Sequence, residues 1–271
     1  MPLKLMYATN NLDIALVAQE SGVDRIWIDL EIKGKAERQK NMDTLQSHHS
    51  VEDIKKIAPR LTTSKMLVRI NPWDNESEKE IENVIAAGAD IIMLPMWKTA
   101  DEVYKFIRAV NKRTRTILLL ETREANECLD EVLTIPGIDE IHIGLNDLHL
   151  SYGLSFMFEP LVNGMVEKII DKIRAKGIPY GFGGVSHLGD GLIPAEMLII
   201  EHYRLGSSLS ILSRGFCDQK KDIQDIKKIF TKQMSELRSF EKTVNKLMFE
   251  DNRKKLQLIV EQIVQLKKET K

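Results

Sequence analysis

Residues 90–120 read DIIMLPMWKTADEVYKFIRAVNKRTRTILLL. Two short apolar runs, 90–94 and 116–120, flank a segment in which Val103, Phe106, Ile107 and Val110 recur at helical spacing. Near-continuous apolar runs suit strands covered on both faces. A helix between two such strands is the crossover that parallel pairing requires. The stretch therefore reads as a β–α–β unit.

The same texture extends in both directions. Further apolar, β-branched runs lie at 3–7, 25–30, 66–70, 138–143, 179–182 and 203–206. Amphipathic segments separate most of them, such as the one carrying Val166, Ile169, Ile170 and Ile173. Eight strands alternating with helices predict an α/β fold, a (β/α)8 TIM barrel, and 271 residues is near the size of one such barrel. An open doubly wound sheet is the rival, but no glycine-rich dinucleotide fingerprint follows an early strand.

Two regions break the rhythm. Residues 30–50 form a long polar stretch with Lys33, Lys35, Arg38 and Lys40, then His48 and His49. On a barrel it follows the second strand and sits on the active face, where a long loop is usually functional. The tail is the second: after Gly215 there is neither glycine nor proline. Ile223, Ile226, Phe230, Met234 and Leu237 mark one helical stripe, and Leu256, Ile259, Ile263 and Leu266 another. The chain is expected to divide into a catalytic core at 1–218 and, at 219–271, the last barrel helix plus a C-terminal helical arm. Such an arm either packs on its own barrel or joins subunits, and a homo-oligomer is the expectation.

A net charge of −1 gives no electrostatic case for nucleic acid or membrane partners. No run approaches the length of a membrane span, and residues 1–9 lack the apolar core of a signal peptide. Cys128 and Cys217 make no disulfide framework and no zinc pattern. A cytoplasmic enzyme acting on a small molecule fits these features.

In a parallel barrel the working side chains stand at the C-terminal strand ends. Those ends carry Asp29 and Glu31, Arg69 and Asn71, Glu121 and Arg123, then Gly144, Asn146 and Asp147. Carboxylates on adjacent strands can face one hard cation, and Mg²⁺ takes few protein oxygens. An arginine nearby can clamp a substrate carboxylate or neutralise an enolate oxygen. The bland reading is that Asp147 caps the next segment and Glu121 pairs with Arg123. Ser186, His187 and Asp190 invite comparison with a catalytic triad, which only geometry can establish. Gly206-Ser207-Ser208 offers an anion nest or a plain turn.

Five segments carry a family resemblance: Trp27-Ile28-Asp29-Leu30-Glu31, Val68-Arg69-Ile70-Asn71, residues 88–95, Leu120-Glu121-Thr122-Arg123-Glu124-Ala125 and Ile143-Gly144-Leu145-Asn146-Asp147-Leu148. In order and spacing this resembles the HpcH/HpaI aldolase and citrate lyase beta-subunit family of phosphoenolpyruvate/pyruvate-type barrels. The resemblance implies a carbon–carbon lyase working through a metal-stabilised enolate of a 2-oxo acid such as pyruvate or oxaloacetate, or acting on an acyl ester. It implies Glu121 and Asp147 as Mg²⁺ ligands, with Mn²⁺ or Co²⁺ as substitutes, and Arg69 as the enolate-stabilising group. Backbone around Gly144 and Asn146 would receive the substrate carboxylate, and Lys33 and Arg38 an anionic substrate tail. Many aldolases of the family carry a histidine where this chain has Ile32, so the base falls to Asp29, Glu31 or His48, with His49 as the alternative. The rival class is a non-catalytic barrel acting as a scaffold through its helical arm.

Overall fold

A computed structural model describes residues 1–33 and 49–269. Eight strands, β1 (Lys4–Ala8), β2 (Arg25–Asp29), β3 (Lys65–Arg69), β4 (Ile91–Leu94), β5 (Arg115–Leu120), β6 (Glu140–Ile143), β7 (Tyr180–Val185) and β8 (Leu209–Leu212), pair in chain order. Every pairing is parallel, and β1 closes on β8. The fold is a (β/α)8 barrel.

The helices of the first half are α1 (Leu12–Glu20), α2 (Val51–Ile57), α3 (Ser77–Ala87) and α4 (Ala100–Val110). Those of the second half are α5 (Arg123–Glu127), α6 (Leu129–Val132), α7 (Leu145–Ser151), α8 (Glu159–Val162), α9 (Met165–Ala175) and α10 (Ala195–Leu205). The tail forms α11 (Ile223–Glu241) and α12 (Phe249–Glu269). Local chemistry marks the boundaries. Ser50 and Thr99 build reciprocal capping boxes with Asp53 and Glu102 at the starts of α2 and α4. Gly88 stops α3 in the left-handed region, where a side chain would be strained.

Two apolar layers result. Met6, Trp27, Leu67, Ile91, Met93, Ile117, Leu119 and Leu209 point inward and fill the barrel, which is a packed core with no bore. The alternate strand residues point outward and meet the helices, including Val103 and Phe106 of α4 and Val166 and Ile170 of α9. The bottom of the barrel is closed by a buried ion cluster. Glu140 accepts two bonds from Arg25, at 2.6 and 2.7 Å, and one from Arg115 at 2.9 Å.

One strand differs from the sequence expectation. Residues 203–206 are the end of α10 and its glycine stop, and the eighth strand follows at Leu209–Leu212. The apolar run that suggested a strand is the buried face of a helix, which a short run cannot distinguish. Gly206 to Ser208 therefore precedes β8. Ser207 and Ser208 donate their N–H groups to the carbonyls of His202 and Tyr180, so the segment is a turn.

The tail lies against its own barrel. Ile226, Phe230, Met234 and Leu237 of α11 are buried, and α11 packs on α1. In α12 the buried positions are Asn252, Leu256 and Val260, against α8 and α10, while Leu266 is exposed. Arg253 reaches Glu167 at 2.9 Å and Glu201 at 3.4 Å, both already held by Arg204, and this network ties the arm down. Among the described residues no helix is long and apolar enough to cross a membrane.

Candidate active site

The β2–β3 register sets Asp29 opposite Arg69, with both side chains at the top of the barrel. The consequence is a fork-to-fork pair: Arg69 Nε donates to Asp29 Oδ1 and Nη2 to Asp29 Oδ2, each at 2.8 Å. Nη2 also lies 3.1 Å from Glu31 Oε2. The guanidinium sits 5.0 Å above the Trp27 ring. Burial opposes its charge, but Asp29 and Glu31 outweigh that and hold its pKa above the usual arginine range. Nη1 makes no hydrogen bond among the described residues. Arg69 is thus fixed along one edge and offers the other.

Glu121 stands one residue beyond β5, and Gly144 one residue beyond β6. The register continues, with Gly144 N–H donating to the Leu120 carbonyl at 2.9 Å. Gly144 was expected to offer its N–H to substrate, and that N–H is engaged here. What the glycine provides is space, because a Cβ there would lie 2.8 Å from Glu121 Oε2. On the other side, Met96 N–H donates to Glu121 Oε1 at 3.1 Å. Met96 adopts φ 53°, a conformation uncommon for a residue with a side chain. Such strain concentrates at functional sites.

Glu121 is 3% exposed. Burial first, and the negative field of Asp147 second, push its carboxyl well above the ordinary glutamate value, with Arg69 acting in the opposite direction. Asp147 lies in the first turn of α7, half-buried. Arg123, the alternative partner for Glu121, instead pairs with Glu127 at 2.8 Å on the surface. Four carboxylates (Asp29, Glu31, Glu121 and Asp147) thus share the top of the barrel with Arg69. Among the described residues no third His, Cys, Asp or Glu joins Glu121 and Asp147 as a metal-binding group. Two carboxyl groups offering hard oxygen donors suit a divalent cation whose other ligands are water or substrate.

The remaining expected residues separate. Lys33 is bound to Asp74, and both are part-exposed. Its backbone N–H, with that of Ile32, donates to Asn71 Oδ1, and Asn71 Nδ2 donates to Glu80 at 2.8 Å. Asn71 thereby fixes the chain leaving β2, a role its place at a strand end did not reveal. Asn146 is exposed beside Asp147. Arg38 and His48, with Lys35 and Lys40, lie outside the described residues. Of the adjacent histidines, His49 reaches the site: its Nδ1 accepts the Asp29 N–H at 2.9 Å. A neutral His49 so bound carries its proton on Nε2. Ser186 Oγ contacts the carbonyls of His187 and Asp190, and no hydrogen bond to the imidazole completes a triad.

The sequence model of the HpcH/HpaI aldolase/citrate lyase family matches residues 4–181. The chain belongs to that family. Among curated relatives, 2-keto-3-deoxy-L-rhamnonate aldolase of Escherichia coli O17:K52:H18 is 28% identical over 41% of this chain and 53% of its own length. The same enzyme of Shigella sonnei is 27% identical with the same coverage. The chain thus spans about half the length of the curated relatives it matches. Solved structures of the HpcH/HpaI fold agree. An HpcH/HpaI aldolase of Desulfitobacterium hafniense has TM-score 0.63 at 17% identity, covering 88% of this chain and 93% of that one. Protein CitE of Mycobacterium tuberculosis, solved with magnesium and acetate, has TM-score 0.56 at 17% identity, covering 93% and 96%. Citrate synthase SbnG has TM-score 0.59 at 16% identity, covering 88% and 94%. At these identities the likeness is one of fold.

Proposed function

We propose that this HpcH/HpaI family member is a divalent-metal-dependent carbon–carbon lyase that cleaves or forms a bond next to a 2-oxo acid of the pyruvate or oxaloacetate type. The observation that carries the reading is the pairing of Glu121 with Asp147 beside the open edge of Arg69. Glu121 and Asp147 would hold Mg²⁺, with Mn²⁺ or Co²⁺ as substitutes. When bound, the cation supplies Lewis-acid stabilisation of negative charge on the substrate.

The chain's own groups do the rest. Asp29 and Glu31 fix Arg69 before the reaction begins, so no reorganisation is needed when charge develops. The Nη1 edge of Arg69 receives the enolate oxygen. Backbone and side chain around Asn146 orient the substrate carboxylate. His49, holding Nδ1 against the Asp29 N–H, acts as a donor through Nε2, and proton transfer falls to the Asp29–Glu31 pair. Met96 N–H and the bare Cα of Gly144 keep Glu121 in one rotamer. A soluble cytoplasmic homo-oligomer completes the proposal, with the face of residues 219–271 turned away from the barrel, which carries the exposed Leu258, as a subunit contact.

Calorimetric titration of Mg²⁺ into the full chain, with and without oxalate as an enolate mimic, tests it. The expected result is saturable Mg²⁺ binding that oxalate tightens and Asp147→Asn weakens. Absence of Mg²⁺ binding at millimolar concentration, with the chain folded, would sink the metal site and return the barrel to a scaffold role.

A further inference from the structure

A cavity of about 1030 Å³ opens at the opposite end of the barrel from Glu121. Its walls are the N-terminal ends of several strands, the turn 111–114 after α4, and the turn at Pro136 and Gly137 before β6. Seven lysines and arginines line it against three aspartates, in a chain whose net charge is −1.

The aspartates are already engaged. Asp24 accepts from Leu5 N–H at 2.8 Å and pairs with Arg238 at 3.1 Å. Asp90 accepts from Met66 N–H and Asp139 from Thr116 N–H, each at 2.8 Å. Several cations are likewise matched: Arg113 with Glu82, and Arg25 and Arg115 with Glu140. Arg108 and Lys112 are not. Among the described residues neither has a carboxylate partner, and Arg108 only overlies the Tyr104 ring at 5.7 Å.

Two further observations fall on the same wall. Asn111 and Lys112 are consecutive non-glycine residues at φ 49° and 57°. Asn111 is accounted for as the end of α4, where its N–H returns to the Ile107 carbonyl. Lys112 follows it in the same tight turn, closed by the Arg113 N–H donating to the Val110 carbonyl at 3.1 Å, and this turn sets Lys112 on the cavity wall. Beside them, Thr114 Oγ1 is buried at the wall with no hydrogen-bond partner, an unusual state for a hydroxyl in a folded chain. Apolar surface from Ile91, Ile107 and Pro136 completes the lining.

We infer that this cavity binds a small phosphorylated metabolite, its phosphate held by Arg108, Lys112 and Thr114 Oγ1 and its carbon skeleton lying against Ile107 and Pro136. The surplus charge calls for an anion, the buried unpartnered hydroxyl leaves a donor unused in the wall, and the volume is that of a single metabolite site. A concave site on a nearly neutral chain favours a small ligand over a nucleic acid. The site is independent of the catalytic reading and lies at the other end of the barrel.

Calorimetric titration of inorganic pyrophosphate into the full chain, in metal-free buffer at low ionic strength, tests the assignment. Saturable binding to one site is expected. The Arg108→Glu/Lys112→Glu double variant, altering two exposed residues, should weaken it by about tenfold or more at an unchanged thermal midpoint. Thr114→Val should weaken it several-fold and leave folding intact. No saturable binding by the wild-type chain overturns the inference. So does pyrophosphate affinity that both variants leave unchanged, which places the anion elsewhere, or tighter binding to a single-stranded oligonucleotide than to pyrophosphate.

Discussion

Gly144 and Glu121 claim the same volume: a Cβ on Gly144 would fall 2.8 Å from Glu121 Oε2 and 2.9 Å from Glu121 Cβ. The Gly144 backbone is ordinary, with φ −82°, so a substitution there acts through the neighbour and not through strain. Gly144→Ala should displace the Glu121 carboxylate by several tenths of an ångström or more. The expected outcome is a loss of Mg²⁺ affinity of about tenfold or more, equivalent to about 1.4 kcal/mol, measured by calorimetry. Secondary structure by circular dichroism should not change. Unaltered Mg²⁺ affinity in this variant would remove Glu121 from the ligand set.

Glu121 is held above its ordinary pKa by burial first and by Asp147 second. The folded state therefore keeps a proton that the unfolded state releases. Its contribution to stability is present below the unfolded glutamate value, near 4.3, and is lost as pH rises through the folded value. Without metal, Glu121→Gln should then be more stable than the wild-type chain at pH 8, by on the order of 1 kcal/mol in urea denaturation. With saturating Mg²⁺ the order should reverse, since only the wild-type chain gains from the cation.

Arg69 neutralises two buried carboxylates at once. Arg69→Ala leaves Asp29 and Glu31 without their shared cation and should cost about 3–5 kcal/mol in denaturant unfolding. Arg69→Lys keeps the charge but loses the fork geometry with Asp29. Its stability loss should be smaller, while kcat falls because the edge offered to substrate is gone. A lysine variant with wild-type kcat would show that Arg69 serves stability alone.

How much of this was legible in the sequence depends on where each cause lies. The barrel could be read because strand and helix periods are local, and seven of the eight strands lie close to their apolar runs. The eighth was misplaced because the buried face of α10 is as apolar as a strand. The Asp29–Arg69 pair rests on β2–β3 register, and the engaged N–H of Gly144 on β5–β6 register, neither of which a linear pattern encodes. Asn71 was visible as a strand-end polar residue, but its bonds to Ile32, Lys33 and Glu80 join distant segments. The basic cavity at the barrel bottom was invisible because its cations come from several separate strands and turns.

Two buried imidazoles are expected to set the acid limit of stability. Burial pushes His142 down to about 4 and His202 down to about 3. His142 Nε2 lies 3.0 Å from the Gly183 carbonyl, and His202 stacks on Phe182 at 4.0 Å. A depressed folded value means the unfolded chain binds more protons. The contribution of these groups is fully present above about pH 6.5 and is lost as pH falls toward 4 for His142 and toward 3 for His202. Each should remove up to roughly 1.4 kcal/mol per pH unit across that window. His202→Phe should flatten the slope by one proton in pH-resolved urea denaturation, and an unchanged slope would place the acid limit elsewhere.

In the proposed reaction Glu121, Asp147 and Arg69 together stabilise the enolate of a 2-oxo acid. Exchange of the pyruvate methyl protons with deuterium in ²H₂O, followed by proton NMR, reads that enolate directly. Exchange should require the wild-type chain and Mg²⁺ together, stop on addition of EDTA, and be lost in Asp147→Asn and Arg69→Lys. Pyruvate and Mg²⁺ both demonstrably bound, with no exchange above the protein-free rate, would contradict it.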